Sequence, residues 1–347
     1  MQNTDHRSTG GLAVFFAFLS MLTGCERHAQ PKVLNLFAWS EYIPQEVIDG
    51  FTKESGVQVN YETYDSNEAM LTKLAQGRGR YDLIQPSEYA VEALIRRQML
   101  APLDFAKVPN VKNLDPAMRD LPYDPGQKYS VPYMSGTVGI IVNTQKVSEP
   151  IRGYRDVFRP QFARHIVVID DNREIVSWAF DVLGIPVNDV TPQNLAKAKP
   201  ILAQWIPLMV FAPSDPKPPL LSGDCILGVV YSGDAAKLIE ADKKFRYVLP
   251  EEGTHQFIDN LCVPASAPHK DEAMAFINYV LRPEVSKIIS DKFPYTNPNL
   301  AARKLLTGEQ LDNPASYPPP HKFEIFHDLG PVAGEIGKLM TELRAGG

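Results

Sequence analysis

The stretch from Val33 to Gln85, VLNLFAWSEYIPQEVIDGFTKESGVQVNYETYDSNEAMLTKLAQGRGRYDLIQ, decides the fold class. Its opening, Val33 to Trp39, is an apolar run of the length of a buried strand. Pro44 then suits the first turn of a helix, Val47, Ile48 and Phe51 make its apolar stripe, and Gly56 supplies the left-handed residue that ends it. A strand from Val57 to Tyr64 follows, then a helix opened by Ser66 or Asn67 and closed near Gly77, then a short strand around Asp82 to Gln85. Strand, helix, strand, helix, strand, joined by right-handed crossovers, predicts a parallel sheet covered by helices, an α/β architecture.

Beyond this unit, Pro109 to Tyr129 is a connection rich in Pro, Asp and Asn, after which Ser130 to Tyr133 and Thr137 to Asn143 read as strands. A second α/β series runs through a strand at His165 to Ile169, helices near Glu174 to Leu183 and Gln193 to Gln204, a strand at Ile226 to Tyr231, a helix at Asp234 to Ala241 and a strand at Phe245 to Val248. Pro213, Pro216, Pro218 and Pro219 mark the stretch from Phe211 to Pro219 as a rigid loop. No repeat, low-complexity tract or long linker separates the two series. Two lobes joined by several short crossings are therefore expected.

The amino terminus reads as a processing segment: Arg7, an apolar stretch from Leu12 to Leu22 (LAVFFAFLSML), then Thr23 and Gly24 before Cys25. Leu22-Thr23-Gly24-Cys25 resembles a bacterial lipobox. The resemblance implies that residues 1–24 are a lipoprotein signal peptide and that Cys25 is lipidated and anchors the protein to a membrane. Cys225 and Cys262 are too few and too far apart for a zinc site; they lie in the apolar runs CILGVVY and NLCVP, where a small buried hydrophobe is a commoner role than a disulfide.

Composition narrows the function classes. The chain has 347 residues, 44% hydrophobic and 22% charged, with a formal net charge of -6. Disorder is excluded at this hydrophobicity, and no apolar run reaches the roughly 18 residues of a membrane span. Mild acidity without a basic run argues against a nucleic-acid partner and favours a cationic ligand. No G-x-S-x-G, Walker-type, H-E-x-x-H or dinucleotide motif is present, and none of the 7 histidines pairs at a metal-binding spacing on a predicted helix. Neither catalysis, a cofactor nor a metal is indicated.

What does recur is an aromatic ring beside a carboxylate at the carboxyl ends of predicted strands, where open α/β sheets bind ligands. Trp39-Ser40-Glu41-Tyr42, Ser87-Glu88-Tyr89, Asp171 with Glu174 and Tyr231-Ser232-Gly233-Asp234 follow such strands, and Phe257-Ile258-Asp259 lies in a further one. Such sets suit an organic cation, because ring faces attract ammonium groups and carboxylates accept their hydrogen bonds. Structural roles compete at each. Trp39 equally suits the core under the first sheet, Asp171 with Glu174 has the form of a helix capping box, and Asp234 is a first-turn carboxylate favoured by the helix dipole. Phe257 and Tyr295, taken singly, read as core aromatics.

With these residues in view, the sequence resembles the polyamine-binding proteins of ABC importers, the spermidine/putrescine group of bilobal solute-binding proteins. LFAWSEYIPQEVIDGFTKESGVQV, YDLIQPSEY, NLDPAMRDLPYDPGQKYSVPYMSGTVGIIVN, DDNREIV, GVVYSGDA, INYVLRPEV and YTNPNLAARKLL carry the resemblance over nearly all of the mature chain. It implies a type II periplasmic-binding-protein fold of two α/β lobes, residues 33–135 with 259–305 and residues 136–258 with 306–347, and a ligand cleft between them. Trp39, Ser40, Tyr42, Ser87, Tyr89, Asp259 and Tyr295 would contact ligand from the first side, and Asp171, Glu174, Tyr231, Asp234 and Phe257 from the second. Asp259 would hold a terminal ammonium, Glu174 and Asp171 would meet charge further along, and the rings would sandwich the methylene chain. Glu41 matches a further acidic position. Departures concern specificity: Tyr231 and Phe257 stand where relatives carry Trp, Phe326 where some carry a polar contact residue. Asp171 plus Glu174 looks like the spermidine-preferring pattern, whereas Ser232-Gly233-Asp234 and Phe257 look like the putrescine-preferring one. The implied function is capture of a polyamine and its delivery to membrane permease subunits, by a monomeric, periplasmic or extracytoplasmic, lipid-anchored protein. The alternatives are a receptor of the same fold for another organic amine or for a sensory partner, and a secreted hydrolase using two of the paired carboxylates.

Overall fold

Strand β1 (Val33–Trp39) lies between β2 (Gln58–Tyr64) and β3 (Leu83–Ile84), all three parallel, in a computed structural model that describes residues 32–345 apart from Glu41, Arg78, Pro213 and Ser214. The segment 1–24 expected to be a signal peptide, Cys25 and Glu41 lie outside the described residues. Helix α1 (Gln45–Ser55) starts after Pro44 and ends at Gly56, whose φ of 69° carries the left-handed turn and whose N–H caps the Thr52 carbonyl. It buries Val47, Ile48 and Phe51, the stripe read from the sequence. The Ser66 side chain accepts from the Ala69 N–H and opens α2 (Asn67–Gln76), and α3 (Glu88–Arg96) leaves the end of β3.

Strand β4 differs from expectation. Ser130 to Asn143 is one continuous buried strand rather than two, passing through Gly136 with a register shift between Pro132 and Met134. The rest of the chain supplies α4 (Tyr154–Val157), β5 (Ile166–Ile169), α5 (Asn172–Leu183), α6 (Pro192–Trp205), β6 (Met209–Ala212), α7 (Lys217–Ser222), β7 (Leu227–Tyr231), α8 (Ser232–Ala241), β8 (Phe245–Val248) and β9 (Thr254–Cys262). It ends with α9 (Lys270–Val280), α10 (Pro283–Lys292), α11 (Leu300–Arg303), α12 (Gly308–Leu311), β10 (Phe323–Glu324) and α13 (Ala333–Ala345). Only the two ends of the stretch expected to be a proline loop are regular: Phe211 and Ala212 close β6, and Pro218 and Pro219 sit in the first turn of α7, where no intrahelical donor is needed.

Strand order is β2-β1-β3-β9-β4-β7-β5-β6, with β8 beside β4 and β10 beside β9. Pairing is parallel within β1–β3 and within β5–β7, as the crossover pattern requires, but β4 and β9 run antiparallel to each other, β9 to β3, and β4 to β7 and β8, while the short β10 joins β9 in parallel. The amino-terminal half of β4 pairs with β9, and its carboxyl-terminal half with β7 and β8. Core packing divides at the same place. Val131 packs with Leu34, Leu36, Phe51 and Phe276, while Ile140 packs with Val168, Trp178, Phe180 and Met340. The result is two α/β lobes, each with its own core, connected through the shared strands β4 and β9. Cys225 and Cys262 are buried, free and in different cores, the role of small hydrophobes.

Candidate functional site

At the end of β1 the chain turns from sheet to helix, and Trp39, Ser40 and Tyr42 fall on that turn. Trp39 is half-buried against Tyr64, ring centroids 4.8 Å apart, and its indole N–H has no partner among the described residues. Ser40 turns away from the other candidates and donates to Asp65 Oδ1 at 2.5 Å. The Tyr42 ring faces Tyr295 at 5.5 Å, and burial, then Tyr295 and Asp259, push its hydroxyl pKa well above the ordinary value.

Asp259 is the centre of the set. Its backbone bridges to Ser87, and the Ser87 hydroxyl donates to Asp259 Oδ1 at 2.6 Å. Asn67, at the start of α2, holds this arrangement from behind: its amide donates to the Ser87 and Tyr89 hydroxyls, each at 3.0 Å, and its Oδ1 accepts the Ser87 N–H. Only 2% of Asp259 is exposed. Burial pushes its pKa up to about 7 against the Ser87 and Tyr42 hydroxyls, which lower it, while Glu88 raises it further. A buried carboxylate so placed is stabilised as an anion by any cation that reaches it.

Phe257, two residues earlier on β9, stands edge-on between Tyr231 at 5.6 Å and Tyr295 at 5.8 Å. Bare backbone makes room for these rings. A Cβ at Gly136 would overlap the Phe257 ring, and one at Gly233 would overlap the ring of Tyr295. Tyr42, Ser87, Tyr231, Phe257, Asp259 and Tyr295 therefore form one connected group, contributed by elements of both lobes.

The remaining carboxylates each have a partner within the protein, and for Asp171 that partner carries no charge. Asp171 caps α5, accepting the Arg173 and Glu174 N–H groups at 2.8 and 3.1 Å, so the capping reading holds for this residue. Glu174 does not complete the box. Its Oε1 lies 2.6 Å from His255 Nδ1, and its Oε2 is buried without a partner among the described residues. His255 Nε2 lies 3.1 Å from Glu88 Oε1, and Glu88 Oε2 accepts the Ile258 N–H. Burial pushes the Glu174 pKa up, opposed by His255. Burial lowers that of His255, but Glu174 and Glu88 outweigh it and lift the value to about 9. The His255 ring stacks on Phe326 at 3.6 Å, and the Arg173 guanidinium covers Phe326 at 4.1 Å and Tyr89 at 4.8 Å. Asp234 Oδ1 is bound by Lys217 Nζ at 2.5 Å; burial raises the Asp234 pKa and Lys217 opposes it.

Sequence reasoning missed Asn67, His255, Arg173 and Lys217. His255 carried a readable signal: residues 255, 257 and 259 alternate along one strand and so share a face. Lys217 was hidden in the supposed proline loop. A surface cavity of about 310 Å³ opens elsewhere, beside β2 and the start of α2, lined by Thr63, Asp65 and Lys73 and by none of the candidate side chains. Among the described residues no group of His, Cys, Asp and Glu could hold a metal ion, and no helix is long and apolar enough to cross a membrane.

Two α/β lobes sharing antiparallel strands, with rings where strands end and a buried carboxylate inside a shared strand, define a type II solute-binding protein. Residues 46–317 match the model of the bacterial extracellular solute-binding protein family, and the chain belongs to it. Over 319 residues it is 35% identical to the spermidine/putrescine-binding periplasmic protein of Salmonella typhimurium, a match covering 90% of this chain and 92% of the relative. It is 32% identical over 312 residues to the putrescine-binding periplasmic protein of Escherichia coli, covering 84% of each. A solved spermidine/putrescine ABC transporter protein of Listeria monocytogenes superposes with a TM-score of 0.86 at 33% identity, covering 90% of this chain and 99% of that one.

Proposed function

We propose that the protein captures a polyamine, putrescine or spermidine, in the cleft between its lobes and delivers it to the permease subunits of an ABC importer. The observation that carries this reading is Asp259: a buried carboxylate, oriented by Ser87 and ringed by Tyr42, Phe257 and Tyr295, is a receptor for an ammonium group whose methylene chain lies against aromatic faces. Trp39, Tyr89, Tyr231 and Asp234 border the same cleft from the two sides, with Asp171 and Glu174 at its far end, while Ser40, whose hydroxyl is held by Asp65, would reach ligand only after turning. No bond is made or broken. Binding acts by shifting the population of open and closed forms about the shared strands, and the protein is not an enzyme.

The lobes are assigned residues 33–135 with 259–305 and residues 136–258 with 306–347, on the strength of the separate cores on either side of β4. The protein works as a monomer outside the cytoplasm, held to the membrane through Cys25.

Calorimetric or thermal-shift titration with putrescine, spermidine and spermine tests the reading. Saturable binding of at least one is expected, with stabilisation of about 2.7 kcal/mol at a ligand concentration a hundred times the Kd. No response to any of them at millimolar concentration rejects it.

A further inference from the structure

We infer that His255 is a specificity-determining residue, whose pairing with Glu174 and Glu88 leaves the cleft too little free negative charge for a triamine and so selects a diamine. The inference rests on the polyamine reading above and refines it.

The argument begins with hydrogen-bond stoichiometry. Carboxylate oxygens lie 2.6 Å from one ring nitrogen of His255 and 3.1 Å from the other. A neutral imidazole has a single N–H and satisfies one of them; both are satisfied when the ring carries two protons. The imidazolium then shares its charge between Glu88 and Glu174, which come from opposite lobes, while Phe326 covers its face. A His255 pKa lifted to about 9 agrees with a ring that stays charged at neutral pH. One imidazolium offsets one of the two carboxylates and the Arg173 guanidinium, close to both, offsets the other, so Glu174 offers a ligand a hydrogen-bond acceptor, its unpartnered Oε2, with little net charge.

Asp234 shares the Lys217 ammonium with Asp215, at 2.5 and 2.8 Å, and Lys237 supplies a second protein cation near both carboxylates. Arg173, over the rings of Tyr89 and Phe326, adds positive potential at the Glu174 end. Of the four acidic candidates on the described chain, two are thus matched by built-in cations. Asp259 and Asp171 are left to meet ligand charge, which fits two ammonium groups. A third cationic nitrogen would enter next to His255 and Arg173, where the Coulomb term opposes it in a low-dielectric setting.

The test measures Kd for putrescine and spermidine with the full-length protein and its His255→Gln variant, which keeps a donor for Glu174 and removes the charge. The wild type should bind putrescine more tightly. His255→Gln should shift the affinity ratio toward spermidine by about tenfold or more, and His255→Gln combined with Glu174→Gln should lose that shift. General structural damage weakens both ligands together and leaves the ratio unmoved, so the ratio separates charge from packing. Should His255→Gln fail to fold, Lys217→Met at the half-exposed Asp234 pair reads the same effect. A ratio within about twofold of wild type in the folded variants, or a wild type preferring spermidine, overturns the inference. A wild type that binds neither amine rejects the polyamine reading instead.

Discussion

Asp259 is costly to ionise where it sits, and an incoming ammonium group offsets that cost. With its pKa pushed up to about 7, the carboxyl of the unliganded protein is partly protonated at neutral pH. Ammonium binding requires the anion. Affinity should therefore fall about tenfold for each pH unit below about 7 and level off above it, as calorimetry from about pH 5 to about pH 8 would show. Asp259→Asn removes the anion and leaves the hydrogen-bonding shape; it should weaken binding by about 100-fold or more and flatten the pH profile. Stability of the unliganded protein moves in the opposite sense. Because the folded pKa of Asp259 lies above the ordinary carboxylate value, its contribution is full below that value and is lost as pH rises through about 7. His255, also raised, gives a contribution that is lost as pH rises from its ordinary value through about 9. Ligand should counter the first loss and leave the second. Thermal unfolding across pH, with and without ligand, separates the two.

At the scale of elements, the glycines of the cleft are as informative as its side chains. Gly136 lies inside β4 and Gly233 in the first turn of α8, and each has an aromatic ring resting on its backbone. Gly136→Ala forces the Phe257 ring or the Ser232 hydroxyl to move. It should cost about 1–3 kcal/mol in chemical denaturation and lower affinity as well, since the displaced ring borders the cleft. The same glycine explains what the sequence concealed. Helices α1 and α2 announced themselves through Pro44, Gly56 and Ser66, whose capping roles are local. Strand β4 did not, because Gly136 and the register shift between Pro132 and Met134 break the alternation on which strand reading depends, while its continuity is enforced by β9, more than a hundred residues away. The site was legible in the same uneven way. Asp259, Phe257 and Ser87 could be found from the ring-and-carboxylate pattern, but the neutralising partners could not. Whether Glu174 is a free charge depends on a histidine 81 positions away, and whether Asp234 is depends on a lysine expected in a loop.

For the whole molecule, two shared strands confine the relative motion of the lobes more than loops would. β4 and β9 are hydrogen-bonded to each other across the junction, so bending of this two-stranded ribbon is softer than sliding or separation. Small-angle scattering should show a smaller radius of gyration at saturating ligand than without it, and unchanged dimensions would place recognition in a cleft that does not close. Replacing Gly136 should alter that closure, whereas substitutions at the distant α6 surface should not.

The return of the chain into its first lobe also governs when the protein can function during its own production. Ser87 and Asp259 are separated by 172 positions, and β3 finds its antiparallel neighbour only at Cys262. A growing polypeptide that has not reached β9 contains Trp39, Tyr42, Ser87 and Tyr89 but neither the anion nor the strand that completes their sheet. Such long-range pairing is slow to form. It favours a chain that stays incompletely folded until its synthesis is nearly finished, the condition in which an unfolded polypeptide can be threaded through a membrane.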